Sequence, residues 1–364
     1  MIDFRYHLVS LVSVFLALAV GIVLGAGPLK DAIGQTITED AASLRQQTAS
    51  LRSQLDTASS GIAHRDDFVD AVAPALVSGQ LSGHSVVLVL LPDADTAIVK
   101  PLTQALKTSG ARVTGQVEVQ GRWTDPAEQA LRDRIVTQVE ASLPATTSGP
   151  AASGPAASGP AASGPAASGP AASGPAASGP PAPRHTTTSG TANERLSGLL
   201  ARALVTAEIS QTQRLDDTAR TVLKGLSGAG LVAVDGEVAS RATEVVVVAP
   251  AVDQNADKEV STSNPAPVDA GKAFSELAIV LDGACDGVVV VGPASSARSG
   301  GVVAAVRGDS DTTKVVSTVD TGGGPMGVVS AVLALREQLS GGSGSYGFGD
   351  GARSPLPALA GSAS

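Results

Sequence analysis

The chain has 364 residues, 43% of them apolar but only 2% aromatic, with a net charge of −9. That length holds one large domain or two small ones. The acidic balance excludes a nucleic-acid partner, which would need clustered Lys and Arg against phosphate. The lone Cys285 excludes an intrachain disulfide framework and any multi-cysteine metal site.

From Leu8 to Leu29 the sequence LVSLVSVFLALAVGIVLGAGPL has no charged residue. As a helix these residues span about 33 Å, against a hydrocarbon core of ~30 Å. A cleaved signal has a shorter apolar stretch of roughly 7–15 residues. Gly25, Ala26 and Gly27 imitate a cleavage site, but Pro28 follows at once. Residues 1–30 therefore read as an uncleaved transmembrane signal-anchor, with membrane lipid as its partner. Arg5 and the amino group on a very short leading segment favour an inside N-terminus. The expected location is the cell membrane, single-pass, with the bulk of the chain extracytoplasmic.

Residues 31–80 read as a helical stalk. Ala41, Thr48, Leu55 and Ile62 form one heptad row, and Ile37, Leu44, Leu51 and Ala58 form the other. Arg45, Gln46, Gln47, Arg52, Gln54 and Asp56 fall outside both rows. The pattern suits a coiled coil, which would make the protein a homo-oligomer. It equally suits an amphipathic helix packed on its own domain. Gly61 is expected to end or bend this helix, with a further helix around Phe68, Val72 and Leu76.

Residues 81–345 read as an α/β domain. Ser85–Leu91 is nearly continuously apolar, as a strand buried on both faces should be. Helical spacing covers Thr96–Ser109, with Gly110 as its stop. Val113, Val117 and Val119 alternate with polar residues as a half-buried strand. Asp125-Pro126 opens another helix by an N-cap and a first-turn proline. Helices follow near Asn193–Ile209 and Asp216–Leu226, then strands at Leu231–Val234 and Val245–Ala249. A helix around Phe274, Leu277 and Leu281 leads to the strand Val288–Val291. Gly301–Val306 is helical, Val315–Val319 a strand, and Gly327–Leu339 the last helix. Strands separated by helices predict a mainly parallel sheet with helices on both faces.

Residues 146–184 interrupt this domain. The unit Ala-Ala-Ser-Gly-Pro recurs six times from Ala151 to Pro180. Proline at every fifth position forbids helix and sheet, and nothing bulky is available for a core. The insert is expected to be disordered, and residues 346–364 to form a flexible tail. The segment before the insert offers only two strands, too few to stand alone, so one domain is expected.

A search for chemistry finds little. His7, His64, His84 and His185 include no pair at helical metal-binding spacing. No catalytic residues can be named, and an enzyme is not expected. Gly292–Gly301 and Asp320–Gly327 are Gly-rich turns between a strand and a helix, where open α/β sheets bind ligands. Neither has the P-loop or dinucleotide spacing, and ordinary tight turns are the better reading. Asp320 is the acidic residue to watch at a strand end. For a soft metal the donors are Cys285, Met326 and Met1, of which Cys285 and Met326 are the weak candidate ligands. No resident cofactor is expected.

The opening MIDFRYHLVSLVSVFLALAVGIVLGAG (residues 1–27) resembles that of the MctB-type copper transporter family of actinobacteria. The end resembles it too: Ser317-Thr-Val-Asp320, the helix Gly327–Leu339, then SGGSGSYGFG at 340–349. The resemblance implies a role in copper efflux and copper homeostasis, with copper as the transported ion. It also implies an outer-membrane location and a pore-forming role. Short continuous apolar runs and scarce aromatics do not suit a membrane barrel, which needs alternating strands and aromatic girdles. The alternative is an oligomeric scaffold or ligand-binding module of the cell envelope without transport activity.

Overall fold

Runs of valine decide where the centre of the molecule lies. The computed structural model describes residues 4–26, 28–143, 191–207, 215–236, 238–252 and 270–358. The insert expected at 146–184 falls outside them, as does 359–364 of the expected tail. The chain divides into two compact units, Met1–Phe68 and Val69–Ser364.

The first unit holds helix α1 (Phe4–Ala26) and most of helix α2 (Pro28–Val77). Within α1, Arg5–Val23 is a 19-residue apolar span with none of its surface buried. Gly61 does not end α2, which runs on to Val77. A Cβ placed there would meet nothing within 4 Å, so the helix passes through an uncrowded, exposed position. The helix expected around Phe68, Val72 and Leu76 is the continuation of α2.

The second unit is α/β, as the sequence predicts. Its helices and strands follow as β1 (Ser85–Leu90), α3 (Val99–Thr108), β2 (Arg112–Val119), α4 (Gln129–Ser142), α5 (Ala192–Leu204) and α6 (Asp217–Gly228). Then come β3 (Val232–Asp235), β4 (Glu244–Val248), α7 (Ala270–Asp282), β5 (Gly287–Val291), α8 (Val302–Gly308), β6 (Val316–Val319), α9 (Pro325–Leu339) and β7 (Ser345–Tyr346). They form one seven-stranded sheet in the order β3-β2-β1-β4-β5-β6-β7. Every pairing is parallel except β2 with the edge strand β3. The sheet draws β1 and β2 from before residue 144 and the other strands from after residue 190.

Burial on both faces explains the uninterrupted valines of β4 and β5, all fully buried. Val87, Val89, Val245 and Val247 face one cluster covered by α4 to α8. Val86, Leu88, Leu90, Val246 and Val248 face the other, covered by α3, α9 and residues from Val69 to Leu81. Helix starts follow the expected chemistry. Asp125 accepts from Ala127 N at 2.9 Å, and Thr191 with Glu194 forms a capping box at the head of α5.

The end of the chain corrects the boundary expected for the tail. Tyr346 lies in β7 and bridges to Ser354, and Arg353 N donates to Ser345 O at 2.8 Å. Residues 346–357 are therefore folded onto the sheet edge, because backbone donors and acceptors there find partners that composition does not reveal.

Candidate functional site

Parallel strands place all their starts at one edge of the sheet and all their ends at the other. The starting edge gathers ionisable side chains. His84 precedes β1, Glu244 opens β4, and Asp282, Cys285 and Asp286 line the turn from α7 into β5. Register sets Glu244 between Val86 and Gly287, so neighbouring strands flank it and its side chain is fully buried.

Glu244 Oε1 lies 3.0 Å from His84 Nδ1. The contact is not a hydrogen bond: His84 Nδ1 and both carboxylate oxygens of Glu244 are buried without a hydrogen-bond partner. An ionised carboxylate without partners is costly to bury. Burial first, and the charge of Asp286 second, push the Glu244 carboxyl up to about 8, so it is mainly protonated at neutral pH. Burial pushes Asp282 up to about 7, and raises Asp286 against the opposing influence of His84. Burial thus disfavours the charged form of each of these three acids.

Cys285 shares that environment. Burial pushes its thiol up strongly, and the carboxylates of Asp282, Asp286 and Glu244 add to the shift. Its Sγ donates to Gly287 O at 3.4 Å. A thiol held protonated is a poor soft-metal ligand, because the thiolate is the binding form. Among the described residues, no group of three His, Cys, Asp or Glu side chains could hold a metal ion.

The finishing edge carries the two Gly-rich turns. Gly292 N donates to Val319 O at 2.8 Å, Gly322 N to Gly292 O at 2.9 Å and Gly327 N to Gly324 O at 3.0 Å. These three amides are spent on neighbouring backbone carbonyls of the same sheet edge. Glycine is needed for closeness: a Cβ on Gly301 or Gly327 would fall 2.1 Å from a backbone oxygen. Met326, half-buried in the first turn of α9, sits at this edge. Cys285 and Met326 thus lie at opposite ends of the strands, separated by roughly 15 Å of β-structure. The fold does not bring them together.

Asp320, at the end of β6, is fully buried. Its carboxylate accepts from Arg307 Nη1 at 2.7 Å, Phe348 N at 2.8 Å and Gly349 N at 2.9 Å. Arg307 also donates to Thr318 Oγ1 at 2.9 Å, Tyr346 O at 2.9 Å and Asp350 O at 2.8 Å. The partners of Asp320 are a helix and the end of the chain, and the following turn is left to cap itself. The pair is a clamp on residues 346–350.

The SGGSGSYGFG segment therefore closes the fold. A family model described as "Copper transport outer membrane protein, MctB" matches residues 1–175 and 171–357. The chain belongs to the MctB family. Proteins named copper transporter MctB from Mycobacterium tuberculosis (strain ATCC 25618 / H37Rv) and Mycobacterium bovis are 27% identical to it over 358 residues, covering 97% of this chain and 98% of theirs. The Mycobacterium leprae protein of that name is 26% identical over 360 residues, with the same shares covered. In this MctB-family chain the C-terminal segment that suggested the resemblance contributes to the Asp320–Arg307 clamp. Glu244 was missed in the sequence. Its signal was a single acid heading a run of four valines, a place where no solvated carboxylate fits.

Proposed function

We propose that this chain is a membrane-anchored component of copper transport and homeostasis. In this reading α1 lies in the lipid and the α/β unit lies outside the cytoplasm. The match to the MctB family along almost the whole chain carries the reading, because its relatives bear the name copper transporter. The 19-residue span Arg5–Val23 supports the anchor, being about as long as a hydrocarbon core is thick. Copper is cargo here. The protonated Cys285 thiol favours passage or delivery over tight capture.

The single candidate span among the described residues cannot by itself enclose a path through a bilayer, so transport by it would need several chains or a partner. An envelope scaffold is the second reading, favoured by the exposed leucines along α2. Growth of a deletion strain on copper, beside zinc and nickel, tests the proposal together with cellular copper content. A copper-specific defect is expected, restored by the full chain but not by a chain lacking residues 4–26. Unchanged copper tolerance and content would overturn transport and leave the scaffold.

A further inference from the structure

We propose that α2 is an assembly surface for a second copy of this chain, pairing parallel and in register through Leu44, Thr48, Leu51, Leu55 and Ile62. Between Ala42 and Arg65 every residue of the helix is exposed within its own unit. Leu44 is 61% exposed, Leu51 59%, Leu55 68% and Ile62 49%. A polar helix could be left so, but these four recur at heptad spacing on one face and form a seam.

Thr48 is the polar member of the seam, and its hydroxyl is already satisfied. Oγ1 donates to Leu44 O at 2.7 Å within the same helix, so covering Thr48 strands no donor. The flanks suit a like copy. In a parallel pair Gln47 would face Arg52 of the second helix and Gln54 would face Ser59, so no like charges oppose. The four apolar side chains expose on the order of 430 Å² per helix. Two helices together would remove about 900 Å² from water before the flanking stems are counted, close to the ~1,000 Å² of a specific interface.

The chain's own layout favours a second copy over another occupant. Residue 27 alone separates α1 from α2. Copies sharing a membrane present α2 in the same direction, at the raised effective concentration of a tethered site. The parallel sense thus rests on the anchor reading, while the seam itself does not, and copper plays no part in either.

Disulfide capture in native membranes tests the pairing with the full chain in a Cys285→Ser background. Single cysteines at Leu44→Cys and Leu51→Cys fall on the seam, and Ser53→Cys and Ser60→Cys on the opposite face. Mild oxidation with diamide is expected to link the seam variants into dimers at least tenfold more than the others. Equal yields, or no dimer from either seam variant, would overturn the proposal. Seam dimers from a chain recovered in the soluble fraction would uphold the pairing and overturn the anchor.

Discussion

Arg307 and Asp320 form an ion pair 2.7 Å long in which the two side chains are 4% and 0% exposed. Neither charge has water to fall back on. Removing one partner of such a pair strands the other, at a typical cost of about 3–5 kcal/mol. Asp320→Ala is therefore expected to lower unfolding stability by about that amount, measured by urea titration. Residues 347–357 should also become the first site of limited proteolysis. Replacing both partners, as Asp320→Leu with Arg307→Met, should recover part of the loss.

Gly347 provides a second test of the same clamp. Its φ is +128°, and a Cβ there would lie 1.9 Å from Asp320 Oδ1. Gly347→Ala is expected to open the clamp without altering either charge. Early proteolysis in 347–357 with a largely intact circular dichroism spectrum is the expected pair of results.

The protonated edge makes stability depend on pH. Glu244 titrates at about 8 in the fold against an ordinary value of 4.5. Between those values the folded chain holds a proton that the unfolded chain has lost, so stability falls as pH rises through that window. Asp282, raised to about 7, adds a dependence of the same sign. The protein is expected to melt at a higher temperature at pH 5.5 than at pH 8.5. Glu244→Gln, neutral throughout, should narrow that difference, and an unchanged difference would show that Glu244 is already ionised in the fold.

Cys285 is expected to resist alkylation. With its thiol pushed up by burial, little thiolate exists at pH 8. Reaction with iodoacetamide should be at least tenfold slower in the native chain than in urea. Equal rates would mean that the thiol titrates normally.

The span Arg5–Val23 is expected to survive in the mature protein. Intact mass from the membrane fraction should include it, and deleting residues 4–26 should move the chain to the soluble fraction. A mature form starting near Pro28 would show cleavage.

Much of the fold was legible because strands buried on both faces declare themselves as valine runs, as Val245–Val248 and Val288–Val291 do. The helix start at Asp125 was legible through its side chain, a short-range device, whereas the capping box of Thr191 and Glu194 came from the structure. The folded end was not legible. What orders residues 346–357 is a carboxylate at residue 320 and a guanidinium at residue 307, and no local pattern in a Gly-rich segment reports a partner that distant. The strand β3 was expected at Leu231–Val234, but its antiparallel sense was not legible, since a short apolar run carries no mark of direction. Of the candidate ligands, Cys285 and Met326 were chosen by element and could not be placed on the same edge without the topology. Gly61 misled because an exposed helical position with no neighbouring atom within 4 Å tolerates glycine without ending the helix.

The order of strands also sets a timetable for synthesis. β1 lies between β2 and β4, and the hydrogen bonds between Ser85 and Thr243 join residues 158 positions apart. At ~5–20 residues per second, a ribosome needs on the order of 8–30 s to make the stretch between them. Throughout that interval the apolar strand Ser85–Leu90 has emerged without one of its two neighbours, its backbone groups open to any other chain. A chain built in this order depends on something holding β1 apart from like strands until β4 arrives, and mutations that slow the arrival of β4 should cost yield before they cost stability.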